Sequence, residues 1–354
     1  MGLGYTKINN MSRIVHICVP EKFIPPFIRF IGEHFQIREH SFLLGGRKSK
    51  RDNYPLPPEQ FVPYHGYIKK IKNLRRLYSA EKIFLHGLYE SQSLYLLALQ
   101  PWLLKKCYWI IWGGDLHQYE EKRTKLKSRF KEWIRARVIR RMGYIVTYVP
   151  GDYDLARRWY STNATFRECL CYESNTANPT KPSAKTSQAI IIQVGNSAYP
   201  RNNHFDAIDR IARFAGSNIQ VFAPVSYGPK EEAQRVAAYG KALLGNKFNT
   251  VVDYLPLDKY LEQLGSVDIG VFNQDRQQAM GNMIALLGMG KTLYLRQHTS
   301  SWNLFELLGI KVFDVEQFSL RLLAKSDQQR NAEIVAKYFS RQRLIAQCER
   351  IFKS

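Results

Sequence analysis

The feature that most constrains this chain is a rhythm that runs through it twice. Short apolar runs of strand length alternate with helical stretches, stop at a polar segment, and then start again. Parallel strands have to be joined by crossovers of a dozen residues or more, usually helices, so this alternation specifies parallel sheets covered by helices. In the first half the strand runs fall at residues 13–19, in the SFLLGG stretch from 41, and at 82–86, 107–112 and 145–149. Helices are expected over roughly 65–78, 91–104 and 119–142, and again from Pro150. In the second half strands are expected at 189–194, 218–223, 248–254, 267–272, 291–295 and 311–313. Helices at 203–215, 229–244, 256–264, 279–289 and 301–308 separate them, with terminal helices at 317–324 and 329–352.

The break between the halves, residues 174–188, is rich in Ser, Thr, Asn, Pro and Lys and reads as a linker. The expected layout is an N-terminal domain at 12–173, the linker, a C-terminal domain at 189–330, and a C-terminal helix at 331–354 that packs back on the N-terminal domain. The fold class is α/β, with two Rossmann-like, doubly wound domains. Such sheets bind ligands at the carboxyl ends of their strands, and two of them facing each other enclose a cleft.

Composition narrows the partners. A formal net charge of +22 over 354 residues calls for something anionic: a membrane surface, nucleic acid or a phosphorylated substrate. The basic stretch 121–141 carries Phe130, Trp133, Ile134, Val138 and Ile139 at helical spacing, and residues 69–76 add more cations. This is a basic amphipathic helix suited to an anionic membrane surface, with Trp133 and the isoleucines expected in the core. No apolar run reaches the ~18–20 residues that span a bilayer, so any attachment is expected to be peripheral. The five cysteines lack zinc-type spacing and read as reduced, buried thiols.

Chemistry is expected at the ends of the strand runs. Gly195, Asn196 and Ser197 follow a buried strand and precede a helix, the setting in which backbone amides and a helix N-terminus hold phosphate. Tyr227 and Gly228, in a PVSYG turn, end the next strand. Arg276, Gln277, Gln278, Gly281 and Asn282 form the third junction, where amides, a guanidinium and a helix start suit a diphosphate without a metal ion. There is neither a P-loop nor a GxGxxG fingerprint, which disfavours kinases and dinucleotide dehydrogenases. In the first half, His86, Glu90 and Asp115 stand at strand ends and are the candidates for a general base, with Asp115 first and His86 next. Two of them have a plainer reading: a satisfied core histidine for His86, a helix cap for Asp115.

A string of these segments resembles a known family. FLHG at 84–87, IWGGDL at 111–116, VGNS at 194–197, the PVSYG turn, YLPLDKYLEQL at 254–264, DIGVF at 268–272 and RQQAMGN at 276–282 occur in the order found in bacterial TDP-N-acetylfucosamine:lipid II N-acetylfucosaminyltransferases, the 4-alpha-L-fucosyltransferase family. The resemblance runs from about Ile83 to Phe313. It implies the GT-B fold, a TDP-sugar donor held by the C-terminal domain and a polyprenyl-diphosphate-linked glycan as acceptor. It also implies peripheral attachment at the cytoplasmic face of the bacterial inner membrane, with neither metal nor other cofactor. The readings kept beside it are a transferase using another TDP-sugar in O-antigen or capsule synthesis, a glycan-binding GT-B protein without activity, and a basic nucleic-acid-binding protein on an enzyme-like fold. Against the last, no helix-turn-helix, RRM or zinc-finger pattern is present.

Overall fold

A computed structural model describes residues 13–45, 61–63, 67–177, 188–253, 255 and 257–353. Most of the expected linker, residues 178–187, lies outside these. The chain divides into two compact units, Met1–Ser174 with Leu344–Ser354, and Asn175–Arg343.

The first unit is built on strands β1 (Ile14–Cys18), β2 (His40–Leu44), β3 (Phe61–Pro63), β4 (Lys82–His86), β5 (Cys107–Ile110), β6 (Tyr144–Val146) and β7 (Thr165–Arg167). All pair in parallel, in the order β3-β2-β1-β4-β5-β6-β7. β1, β2, β4 and β5 are buried along their whole length, which is why they read as continuous apolar runs with no polar alternation. The crossovers include helices α1 (Ile24–His34), α2 (Tyr67–Ser79), α3 (Ser91–Leu99), α4 (Leu126–Arg140) and α5 (Pro150–Tyr160). The strand β7 went unread because it is three residues long and carries Thr and Arg.

The second unit has β8 (Ile190–Val194), β9 (Ile219–Pro224), β10 (Phe248–Val251), β11 (Ile269–Phe272), β12 (Thr292–Leu295) and β13 (Phe313–Asp314). They too are parallel, in the order β10-β9-β8-β11-β12-β13. Helices α6 (His204–Ala212), α7 (Lys230–Leu244), α8 (Leu257–Ser266), α9 (Met280–Gly288) and α10 (Ser300–Leu307) connect them. Two further helices follow, α11 (Lys325–Tyr338) and α12 (Arg341–Lys353). In both sheets the order reverses beside the first strand (β1/β4 and β8/β11), the topological switch point where doubly wound sheets take ligands.

Several expected boundaries move for identifiable reasons. Residues 317–324 are not a helix. Tyr294 Oη donates to Arg321 O and Leu323 N to Thr292 Oγ1, which ties the segment to β12 as irregular chain. The expected single helix at 329–352 is two. α11 packs on α9, where Gly288 faces Val335, and only from Leu344 does the chain belong to the first unit. There Lys82 Nζ donates to Ile351 O and Phe352 O, at 2.8 and 2.9 Å, and so caps the last turn of α12. The expected basic helix at 119–142 begins only at Leu126, because Arg123 bonds the carbonyls of Gln118, Tyr119 and Glu121 and holds the preceding segment in a turn. Within α4 the core expectation holds for Ile139, and Ile134 is partly buried against the core, but Trp133 is 51% exposed.

Two glycines test the packing in opposite directions. Gly32 lies in α1 with open space around it, so Gly32→Ala is expected to stabilise the protein by about 0.5–1 kcal/mol through helix propensity. Gly240 lies in α7, where a Cβ would overlap the Phe248 ring. Gly240→Ala gains the same propensity but overpacks the core at a cost of about 1–3 kcal/mol. Thermal melts of the two variants should therefore move up and down respectively; a rise for Gly240→Ala would contradict the α7–β10 contact.

Candidate functional site

In the first unit the three candidate bases occupy very different surroundings. Asp115 is fully buried. Its Oδ2 accepts from Leu88 N (2.9 Å) and Trp109 Nε1 (2.7 Å), and its Oδ1 from Trp112 N (2.9 Å). The carboxylate is therefore a knot joining the loops after β4 and β5, and it does not cap the short helix that follows. Beside it the buried Arg135 of α4 donates to the carbonyls of Leu88 and Asp115. In this arrangement both oxygens of Asp115 are occupied by protein donors and neither is exposed.

His86 is also fully buried, in a chain of hydrogen-bonded side chains. The indole Nε1 of Trp112 can only donate, and it donates to Tyr172 Oη at 2.8 Å. Tyr172 Oη pairs with His86 Nδ1 (2.7 Å), His86 Nε2 with His16 Nδ1 (3.0 Å), and His16 Nε2 with His40 Nδ1 (2.9 Å). Both ring nitrogens of His86 are in use, and burial lowers its pKa to about 3. Its surroundings are those of a core histidine with both ring nitrogens bonded.

Glu90 differs from both. It is half-buried and caps α3, accepting from Ser93 N and Ser93 Oγ through Oε2. Among the described residues nothing donates to its Oε1. Gly45 makes room for the carboxylate, since a Cβ there would come within 2.8 Å of Glu90 Cδ. With Cys18, Val19, His86, Gly87 and Ser93 it lines a small cavity at the carboxyl ends of β1 and β4.

The second unit gathers most of its sequence candidates at the ends of β8, β9 and β11. Gly195 has φ +64°, and Gly228 has φ +115°, with a would-be Cβ 2.9 Å from the Ala198 backbone, so only glycine fits at 228. Asn196 Nδ2 donates to Tyr227 Oη at 2.7 Å, and Gln278 Nε2 to Asn196 Oδ1 at 3.4 Å. Asn202 Nδ2 donates to Ser197 Oγ (3.0 Å), while Asn202 Oδ1 accepts from Asn196 N (3.2 Å) and Gln274 Nε2 (2.9 Å). Arg276, Gln277, Gly281 and Asn282 are half-buried around the start of α9. That helix begins at Ala279 in a left-handed conformation (φ +61°), with no side-chain cap and no acidic residue in its first turn, so an anion is the cap it lacks.

Other residues of this pocket were not singled out from the sequence: Gln193, Asn202, His204, Tyr260 and Gln274. The Tyr260 hydroxyl is hydrogen-bonded to Gln193 and Asn282, and burial raises its pKa. His204, at the first position of α6, is buried with no partner on either ring nitrogen among the described residues, and burial lowers its pKa to about 4. Buried oxygens of Gln193, Gln274 and Gln278 also lack partners among the described residues. The signal that could have found Gln193 and Gln274 is a glutamine inside or just after a buried strand, a costly position unless something bonds it. Among the described residues no group of three or more His, Cys, Asp or Glu gathers in a way that could hold a metal ion.

Solved structures share this architecture over nearly the whole chain. A glycosyltransferase from Rickettsia africae superposes with a TM-score of 0.62 at 13% identity, covering 97% of this chain and 98% of that one. Anabaena Alr3699/HepE, solved in complex with UDP and glucose, gives 0.66 at 9% identity over 97% and 99%. WaaG, a glycosyltransferase involved in lipopolysaccharide biosynthesis, gives 0.56 at 11% identity over 96% and 94%. Two parallel doubly wound sheets in one chain, together with these similar structures, make this a protein of the GT-B class. The family model described as 4-alpha-L-fucosyltransferase, glycosyl transferase group 56, matches residues 37–339. The chain belongs to that family and is a glycosyltransferase.

The buried histidines give this protein an acid sensitivity with a definite window. His40, His86 and His204 have folded-state pKa values of about 4, 3 and 4, all lowered first by burial, against about 6.5 unfolded. His16 is lowered in the same direction by burial and by its two histidine neighbours. The unfolded chain therefore binds more protons, and stability is complete above pH 6.5 and lost as pH falls toward 3–4. Near pH 5 each such histidine contributes about 1.4 kcal/mol per pH unit. Carboxylates titrate mostly below that, so calorimetry between pH 7 and 5 should show falling melting temperature and proton uptake on unfolding. A flat profile would contradict the buried, neutral state of these rings.

Proposed function

We propose that the second unit holds a TDP-activated deoxyamino sugar of the N-acetylfucosamine type, and that the first unit presents a polyprenyl-diphosphate-linked glycan whose hydroxyl attacks it. The reaction would belong to bacterial surface-polysaccharide synthesis, at the cytoplasmic face of the inner membrane. What supports the donor assignment is the set of unpartnered buried polar groups on Gln193, His204, Gln274 and Gln278 around the Asn196–Tyr227 hydrogen bond. Leaving several such groups unbonded costs about 1–3 kcal/mol each, and a hydroxyl- and amide-bearing sugar would satisfy them.

In this reading the donor diphosphate lies at the uncapped start of α9, beside Gly195, Ser197, Gly281 and Asn282. Arg276 neutralises charge as the leaving group departs, with Gln277 and Gln278 alongside. The half-exposed Tyr227 ring offers a face to the base or sugar. Glu90 takes the place first given to Asp115: its Oε1 accepts the proton of the acceptor hydroxyl as the new glycosidic bond forms. Asp115 and the His86 chain then act by holding the loops after β4 and β5 in place. That no helix of the described residues is long and apolar enough to cross a membrane fits a peripheral enzyme reaching a lipid-linked acceptor.

Two measurements test this. Thermal stabilisation by TDP, UDP, GDP and ADP should be largest with TDP and should vanish in Arg276→Ala with the apo melting temperature unchanged. No shift with any nucleotide at millimolar concentration removes the donor site from this pocket. For the base, Glu90→Gln keeps the cap on α3 and should lower kcat by about 10²–10⁴ with donor affinity intact. Asp115→Asn should instead destabilise the fold by about 1–3 kcal/mol. Full turnover in Glu90→Gln would exclude Glu90 as the base.

A further inference from the structure

Helix α4 has two faces with opposite fates. Arg135, Val138 and Ile139 are buried and form part of the first unit's core, with Ile134 packed against it. On the other side Leu126, Phe130 and Trp133 stand at 80%, 59% and 51% exposure. They are spaced by four and then three residues, so they form one stripe along the helix, and Arg137 continues it a turn later. The Phe130 and Trp133 rings are stacked at 5.6 Å between centroids, and the Arg137 guanidinium lies over Trp133 at 3.9 Å. By helical spacing Arg129 and Arg140 flank the stripe, and Arg141 follows at the helix end; all three are exposed. The one acidic residue of α4, Glu132, points away from this stripe to Arg123 and Tyr160.

An exposed apolar stripe rimmed by one sign of charge marks a surface that docks on something. We infer that this face of α4 is the surface by which the protein rests on an anionic lipid bilayer, with Leu126, Phe130 and Trp133 inserted at the boundary between headgroups and acyl chains and Arg129, Arg137, Arg140 and Arg141 on lipid phosphates. This deepens the reading of a lipid-linked acceptor and rests on it for its biological sense, though not for its geometry. Charge complementarity commits the occupant: four arginines and no carboxylate share the face. The most exposed member of the stripe, Leu126, is aliphatic. It gains nothing from stacking on nucleobases but gains free energy from acyl chains, which favours a bilayer over a nucleic acid. Arginine suits the position because its stem covers apolar surface while its head stays with phosphate.

The test is co-sedimentation of the full chain with vesicles of pure phosphatidylcholine and of phosphatidylcholine with about a third phosphatidylglycerol. Wild type should partition onto the anionic vesicles at least tenfold better, and less well at high salt. Phe130→Ser with Trp133→Ser should reduce that binding by tenfold or more. Arg129→Gln with Arg140→Gln should reduce it by about fivefold per arginine. All four positions are solvent-exposed, so melting temperature should hold in each variant. The nucleotide-induced thermal shift serves as the second readout: if it persists while vesicle binding is absent in wild type, the docking face is wrong and the donor site stands. Vesicle binding that is unchanged in Phe130→Ser/Trp133→Ser also overturns the proposal. So does oligonucleotide binding through the same residues that outcompetes the vesicles.

Discussion

A buried polar side chain costs about 1–3 kcal/mol unless it finds a hydrogen-bond partner, and the two sheets of this protein meet that constraint in opposite ways. At the strand ends of the first unit the polar groups bond one another. Asp115 accepts from Leu88, Trp109 and Trp112, Arg135 donates to two carbonyls, and Trp112, Tyr172, His86, His16 and His40 form a hydrogen-bonded chain. At the corresponding ends of the second unit, part of the polar set is left open. Gln193, His204, Gln274 and Gln278 keep atoms without partners beside an uncapped helix. A closed network makes rigid loops; an open one makes a place for a ligand. That contrast underlies the assignment of a supporting role to one set and donor binding to the other.

The same contrast corrects a natural expectation about acidic residues at strand ends. Asp115 follows two glycines at the end of an apolar strand, the position at which catalytic carboxylates often stand. Its neighbours decide otherwise. Trp109 on the same strand and Leu88 on the adjacent loop both donate to it, and neither is visible as a partner until β4 and β5 pair in register. Glu90, only three residues after Gly87, is half-buried, and its carboxylate takes the space that Gly45, just after β2, leaves by having no Cβ.

Helix α4 shows how charge and burial divide along a single element. Its basic residues explain part of the net charge, and its buried face carries an arginine, Arg135, whose donors are spent on main-chain carbonyls. The apolar positions divide between core and surface. Val138 and Ile139 belong to the core, whereas Phe130 and Trp133 are exposed, because helical spacing places the two pairs on different sides of the helix.

Much of the fold was legible in the residue order. Continuous apolar runs such as KIFLH at 82–86 and IIIQV at 190–194 can only be strands buried on both faces, and the helical stretches between them leave parallel pairing as the outcome. The glycine- and amide-rich junctions at 195–197, 227–228 and 276–282 were legible for the same reason: they sit where a strand stops. Short or polar elements were not, as β7 and the irregular segment 317–324 show, since their conformation depends on side chains of neighbouring strands. What the sequence determined by itself is the alternation, the family and the candidate junctions, because these depend on local periodicity and on residue type. What only the tertiary structure decided is which polar groups are used up and which remain open, and which half of an apolar helix meets the core. Those are properties of pairs of residues far apart in the chain, brought together only when the parallel strands align.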